Sequence, residues 1–177
     1  MILTIRYPLL LLFAFFHSTI MADNTDLNST LNVNNTQAKV FYLVRHAEKL
    51  AGQDPSLSAQ GKLRAMRLAT VLSSTPLAKV FTTDYKRTQE TALTVAKSQH
   101  LETTVYDPHN LPKTAEILFK QQGHILVVGH SNTTTALAEQ LGADKQPAIN
   151  DANEFDRLYI ITLDSNNRKV STVILRY

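Results

Sequence analysis

Lys39-Val40-Phe41-Tyr42-Leu43-Val44 is a short apolar run, rich in β-branched and aromatic residues, that passes without a break into Arg45-His46. A run that is apolar at consecutive rather than alternate positions marks a strand covered on both faces, as in a parallel sheet flanked by helices. Two polar, chemistry-bearing residues at its carboxyl end mark the place where ligands bind in such sheets.

Working outward, Leu57-Ser58 opens a helical stretch to about Ser73, with Ser58 as N-cap and Leu63, Met66, Ala69, Thr70 and Leu72 near one face. Pro76 and Ala78-Lys79-Val80-Phe81 predict a turn and a second strand. Thr82-Thr83-Asp84 then leads into a helix through Lys97, with Asp84 or Thr83 as its cap. A third strand is expected at Thr103–Tyr106, a helix at Lys113–Gln121 behind Pro112, and a fourth strand at His124–Val128. Gly129-His130-Ser131-Asn132 interrupts that strand before a helix that ends at Leu141-Gly142, where Gly142 suits a C-cap. Arg157–Leu163 and Lys169–Arg176 flank Asp164-Ser165-Asn166-Asn167-Arg168 and read as a hairpin. Four strand–helix alternations predict an α/β fold: a three-layer α/β/α sandwich with a mostly parallel sheet and a C-terminal antiparallel hairpin.

The remainder of the 177-residue chain reads as address and tether. Met1–Pro8 carries Arg6 and precedes the apolar run Leu9–Phe16 and the more polar His17–Ala22, the order of a secretory signal. The run is about half of the ~20 residues that cross a bilayer, so cleavage near Ala22 and export to the periplasm or exterior are expected, with a retained N-terminal anchor as the alternative. Residues 23–38 are rich in Asn and Thr and too poor in apolar side chains to offset their ordering entropy; they read as a flexible tether before a domain at 39–177. Asn28-Ser29-Thr30 and Asn34-Asn35-Thr36 match the N-glycosylation pattern. With no cysteine, disulfides, thiolate metal sites and a cysteine nucleophile are excluded. The net charge of +3 is dispersed, unlike a nucleic-acid footprint.

Three strand-to-helix junctions carry unusual polar residues: Arg45-His46, Asp84 to Arg87, and His130-Ser131. Arg45 and Arg87 are permanent cations with planar donor forks suited to a group with several anionic oxygens. His130 begins a helix, where backbone N–H groups and the dipole also favour an anion. His46 among these cations is expected to stay neutral, and so to be a phosphoryl acceptor.

Val44-Arg45-His46-Ala47-Glu48-Lys49, Thr82-Thr83-Asp84-Tyr85-Lys86-Arg87-Thr88-Gln89-Glu90-Thr91-Ala92 and Val127-Val128-Gly129-His130-Ser131-Asn132-Thr133, each at a strand end and in this order, resemble the histidine phosphatase superfamily, of phosphoglycerate-mutase-like fold, over Lys39–Tyr177. The resemblance implies that His46 becomes phosphohistidine, that Arg45 and Arg87 hold phosphoryl oxygens, that His130 and Ser131 complete the phosphate site, and that neither metal nor other cofactor is required. Most members have Gly after the catalytic His, where this chain has Ala47. The family's general acid is a carboxylate from a variable loop and is not matched. By position Asp107 is the candidate, ahead of Glu48 and Glu154. Without an acid, good leaving groups such as phosphohistidine would be favoured.

Other residues have plainer readings. His17 falls in the signal, and His100, His109 and His124 read as surface polar residues. Lys62, Arg64 and Arg67 read as a solvated helix face. Asp84 reads as a cap, and Ser131 lacks the Gly-x-Ser-x-Gly elbow of a nucleophile. The leading expectation is an exported, metal-independent phosphomonoesterase acting on a small phosphorylated metabolite or envelope sugar phosphate. The alternatives are a protein phosphohistidine phosphatase, or a non-catalytic phosphate- or phosphoprotein-binding module. A metallo-hydrolase built on His46, His130 and Asp84 lacks the spacings typical of metal clusters. The expected partner is a small phosphorylated substrate, with no nucleic acid, no stable membrane insertion after signal removal, and a monomeric or weakly dimeric state.

Overall fold

The computed structural model describes residues 38–177. The signal at 1–22 and all but the last residue of the tether lie outside the described residues. Six strands, β1 (Lys39–Arg45), β2 (Leu77–Thr82), β3 (Thr103–Val105), β4 (His124–Gly129), β5 (Arg157–Leu163) and β6 (Lys169–Arg176), form one sheet in the order β3-β2-β4-β1-β5-β6. β3, β2, β4 and β1 pair in parallel, while β5 and β6 add antiparallel at the β1 side. Four helices connect them: α1 (Ala59–Val71), α2 (Lys86–Ser98), α3 (Leu111–Phe119) and α4 (Ser131–Gln140). This is the mixed α/β arrangement expected from the strand–helix alternation. Among the described residues no helix is long and apolar enough to cross a membrane.

The central strands are apolar at successive positions because each face has its own core. Phe41, Leu43, Ile125 and Val127 pack on one side with Leu118 of α3 and Leu137 of α4. Tyr42, Val44, Leu126 and Val128 pack on the other with Leu68 of α1 and Val95 of α2. At about 25 cal/mol per Å² of buried apolar surface, these two layers supply the driving force that holds the parallel strand ends together.

Local details depart from the sequence expectations in instructive ways. α1 turns Gly61, Ala65 and Leu68 inward, while Leu63 and Met66 are 63% and 50% exposed. The stripe begins with the small residues Gly61 and Ala65 because the first turns of the helix lie against the chain after β1; a Cβ on Gly61 would stand 2.0 Å from the Glu48 carbonyl oxygen. α3 starts at Leu111, two residues before the expected Lys113, with Asn110 as N-cap and Pro112 within its first turn. Neither Thr83 nor Asp84 caps α2. Tyr85 occupies the N-cap position, Asp84 accepts from Gln89 Nε2 at 2.9 Å, and Thr83 is turned inward. Ser58 caps α1 as expected, accepting from the Gly61 N–H at 3.0 Å.

Candidate active site

β1, β4 and β2 are adjacent and parallel, so their carboxyl ends open on one side of the sheet. The register pairs Arg45 with Gly129; His46 N–H donates to the Gly129 carbonyl at 2.9 Å, which sets His46 beside His130 with ring centroids 5.6 Å apart. Gly129 is required there, since a Cβ would meet Tyr106 Oη at 2.7 Å and Thr133 Oγ1 at 2.9 Å. Arg87 enters from the first turn of α2. Together His46, Arg87 and His130 line a cavity of about 330 Å³, whose walls include Lys49, Tyr85, Pro108, His109, Ser131, Asn132 and Asp151.

The protonation pattern of the two imidazoles follows from their partners. His46 Nδ1 lies 2.7 Å from the Ala47 carbonyl, which only accepts, so Nδ1 carries the proton and Nε2 keeps its lone pair. Burial above all, and then the Arg45, His130 and Arg87 charges, pushes the His46 pKa down to about 3 against the opposing Ala47 bond. Desolvation, rather than the cationic neighbours expected from the sequence, is the larger cause. His130 is held the other way round. Arg87 Nη2 approaches Nδ1 at 3.3 Å and only donates, so Nε2–H donates to Thr83 Oγ1 at 3.0 Å. Thr83 in turn donates to Thr88 Oγ1 at 2.8 Å, and Thr88 to the Tyr85 carbonyl at 2.8 Å. Burial first, then Arg87 and Arg45, pushes His130 down to about 4.

The arginines differ in placement. The Arg87 guanidinium faces the cavity over the Tyr85 ring, 4.5 Å from its centroid, with Nη1 3.8 Å from Asp54. Arg45, expected with Arg87 to hold phosphoryl oxygens, is only 2% exposed and is not among the residues that line the cavity. Its Nη1 donates to the carbonyls of Asn150 and Glu154, and its Nη2 to the Asp151 carbonyl at 2.8 Å and carboxylate at 2.6 Å. The same guanidinium lies 4.0 Å over the Phe155 ring, so Arg45 clamps the segment 150–155. The Nε atoms of both arginines are buried and have no hydrogen-bond partner among the described residues.

None of the three carboxylates considered as proton donor is on the cavity wall. Asp107 accepts from the His109 N–H at 2.8 Å and borders a neighbouring groove with Asp84 and Val105. Glu48 is gripped by Arg64, which donates from Nε and Nη2 at 2.9 and 2.7 Å; Arg64 is thus an ion-pair partner and not simply a solvated charge. Glu154 accepts from Arg157 and Arg176 at 2.6 and 2.7 Å. The carboxylate that does line the cavity is Asp151, which accepts from Ser131 Oγ at 2.7 Å. The Ser131 bond, then Arg45, lowers its pKa and keeps it ionised.

His109, read from sequence as a surface residue, lines the cavity, and His124, read likewise, bonds Tyr42 Oη through Nδ1 at 3.0 Å. Lys49, Tyr85, Asn132 and Asp151 also went unassigned. Lys49, Tyr85 and Asn132 belong to the junction motifs themselves and could have been found there; Asp151 has no such signal. Ala47 is fully buried beside Leu57 and Ala65, so its methyl group faces away from the cavity. Among the described residues no group of three His, Cys, Asp or Glu side chains stands close enough to hold a metal ion.

No curated protein matches the chain in sequence. Among solved structures, the protein histidine phosphatase SixA complexed with tungstate superposes with a TM-score of 0.65 at 15% identity, covering 77% of this chain and 96% of that one. A mycobacterial glucosyl-3-phosphoglycerate phosphatase gives 0.56 at 13% identity, covering 80% and 99%. Phosphoglycerate mutase from Plasmodium falciparum gives 0.55 at 18%, covering 80% and 91%. The family model of the histidine phosphatase superfamily (branch 1) matches residues 41–108, the span that holds Arg45, His46 and Arg87. Residues 41–108 thus match the histidine phosphatase superfamily in sequence, and the domain around them shares the fold of these solved phosphatases and of the mutase.

Proposed function

We propose that this protein is a phosphatase that works without a metal ion, through a phosphohistidine on His46, and that it acts on substrates whose leaving group departs without help from a carboxylic acid. The observation that carries the reading is the His46 tautomer: Nδ1 donates to the Ala47 carbonyl, which leaves a neutral Nε2 lone pair at a cavity shared with Arg87 and His130. In the first step Nε2 bonds to phosphorus as the bond to the leaving group breaks. In the second, water takes the phosphoryl group, inorganic phosphate departs and His46 regains its lone pair. Arg87 and the amide groups at the start of α4 stabilise charge on the equatorial oxygens in both steps.

Leaving-group preference rests on the carboxylates. Glu48 and Glu154 are committed to arginines, Asp107 borders another groove, and Asp151 is held ionised. An alkoxide would leave unprotonated, at high cost. The imidazole of a phosphohistidine, protonated on its other nitrogen, leaves as a neutral molecule. This favours a phosphoramidate, such as a phosphohistidine side chain, over a sugar phosphate, and the likeness to the SixA fold supports the same reading.

The test compares phosphohistidine, p-nitrophenyl phosphate and an alkyl phosphate in excess EDTA. Turnover of the first two, inhibition by vanadate and acid-labile phosphate trapped on His46 are expected, with the alkyl ester slower by about 100-fold or more for want of acid catalysis. Equal rates on the alkyl ester would defeat the leaving-group reading. Activity retained in His46→Ala would defeat the mechanism.

A further inference from the structure

Arg45 and Asp151 are unlike partners. The arginine side chain is 2% exposed and the aspartate side chain 78%, yet their atoms meet at 2.6 Å. Among the described residues only the segment 150–155 takes the two terminal nitrogens of Arg45: Nη1 is spent on two carbonyls, and Nη2 is shared between a carbonyl and the Asp151 carboxylate. The second donor on that carboxylate is Ser131 Oγ, at the first position of α4, where amide N–H groups also favour an anion. Asp151 is thus an anion that takes one donor from β1 and one from α4, on the wall of the cavity that holds His46. A guanidinium and a hydroxyl converging on one oxygen are also the donors a tetrahedral oxyanion would take.

Building on the proposed phosphatase reading, we propose that Asp151 is the internal counter-anion of this pocket: its carboxylate occupies the Arg45 and Ser131 donors that a tetrahedral oxyanion would take, and must yield both to the phosphoryl group that enters. Arg45 then contributes to substrate binding only by exchanging a carboxylate oxygen for a phosphoryl oxygen. The carbonyls of Asn150, Asp151 and Glu154 remain on the guanidinium and keep its plane fixed through the exchange. The exchange also moderates affinity, because each bound phosphoryl group, product phosphate included, displaces a charge-assisted bond. A phosphatase that releases inorganic phosphate gains turnover from such a competitor.

The experiment measures binding of tungstate and of inorganic phosphate to the full chain by titration calorimetry, for the native protein and for Asp151→Asn, Asp151→Ala and Asp151→Glu. Removing the competing charge should tighten both anions by up to about fivefold in the Asn and Ala variants, the upper worth of one exposed charged pair, and Asp151→Glu should restore native affinity. With p-nitrophenyl phosphate, KM should fall in the Asn variant while kcat falls too, as product release becomes slower. A merely structural role predicts weaker binding in all three variants, since Arg45 would lose its alignment, and that result overturns the inference. Equal affinity in native and Asn proteins overturns it as well. Should the native chain bind neither anion at millimolar concentration, the phosphatase reading itself fails, and this inference with it.

Discussion

His46 and His130 stand 5.6 Å apart, centroid to centroid, with rings inclined at 69°, and their protons point in opposite senses. His46 is protonated on Nδ1 and bonded to the backbone of its own turn; His130 is protonated on Nε2 and bonded to a threonine of the neighbouring strand end. Two like residues in one cavity are thereby differentiated, one with an unprotonated Nε2 able to attack and one whose Nδ1 faces Arg87. The differentiation depends on partners outside the cavity, and this yields the first two predictions.

Because burial holds His46 at about 3 and His130 at about 4, the acid limb of the pH–rate profile should lie near or below pH 4 rather than at the ordinary histidine value of 6.5. Turnover of p-nitrophenyl phosphate, corrected for ionisation of the substrate, should stay flat from pH 8 to about 5. A limb centred near 6.5 would mean that His46 is solvated and that the cavity is open.

Thr83→Val removes the acceptor for His130 Nε2–H while nearly keeping the side-chain volume. Thr83 is fully buried, so the orphaned N–H should cost about 1–3 kcal/mol of stability. It should also lower kcat by about tenfold with little change in KM, since His130 then loses its fixed tautomer. In a double-mutant cycle with His130→Ala the effects on kcat should not add; full additivity would show that the two side chains act separately.

The same histidines govern stability in acid. Each is depressed in the folded protein relative to about 6.5 unfolded, so the unfolded chain takes up protons first as pH falls. Their stabilising contribution is therefore complete above about pH 6.5 and is lost between there and pH 3, at up to about 1.4 kcal/mol per pH unit for the deeply buried His46. Urea midpoints measured from pH 7 to 4.5 should fall accordingly, and His46→Gln should flatten the slope. Saturating phosphate, at about 100 times its Kd, should restore about 2.7 kcal/mol by mass action.

Much of this was legible in the sequence, and the reason is periodicity. Strands buried on both faces announce themselves as unbroken apolar runs, and the three polar junctions stood out because each interrupted one. Backbone contacts have no such signature. Arg45 grips 150–155 through three carbonyl oxygens, which any residues in those positions would offer, so neither the clamp nor the place of Asp151 could be read. The Glu48–Arg64 pair was missed because it joins a loop to a helix across 16 residues, with no helical or strand spacing to suggest it. The buried stripe of α1 differs from the expected face because the residues that meet the chain after β1 are the small ones, Gly61 and Ala65, while Leu68 reaches the sheet.

Asp107→Asn is expected to be nearly silent. Its oxygen accepts from the His109 N–H, and an amide oxygen can do the same. Rates on aryl and alkyl phosphates should both stay within about twofold of native, because the side chain borders the neighbouring groove rather than the cavity. A selective loss on alkyl phosphates would restore Asp107 as the proton donor and require the 107–110 turn to rearrange around the substrate.

Gly61→Ala inverts an ordinary rule. In an exposed helix interior, alanine for glycine stabilises by about 1 kcal/mol. Gly61 is buried, and the added Cβ would stand 2.0 Å from the Glu48 carbonyl oxygen and 2.9 Å from its carbon, which are backbone atoms that no rotamer change can clear. α1 must therefore tilt away, or the chain after β1 must move. The Ser58 N–H bond to the Glu48 carbonyl and the Arg64 grip on the Glu48 carboxylate resist either motion. A destabilisation of about 3 kcal/mol is expected, at the upper end for overpacking, seen as a lowered urea midpoint at unchanged m-value. Because Glu48 is two residues from His46, the displacement should also lower kcat/KM, and tungstate should recover part of the lost stability by selecting the native arrangement of the turn. Stabilisation by this substitution would mean that α1 does not lie against the 46–48 turn, and that the His46 side chain is oriented by something other than this contact.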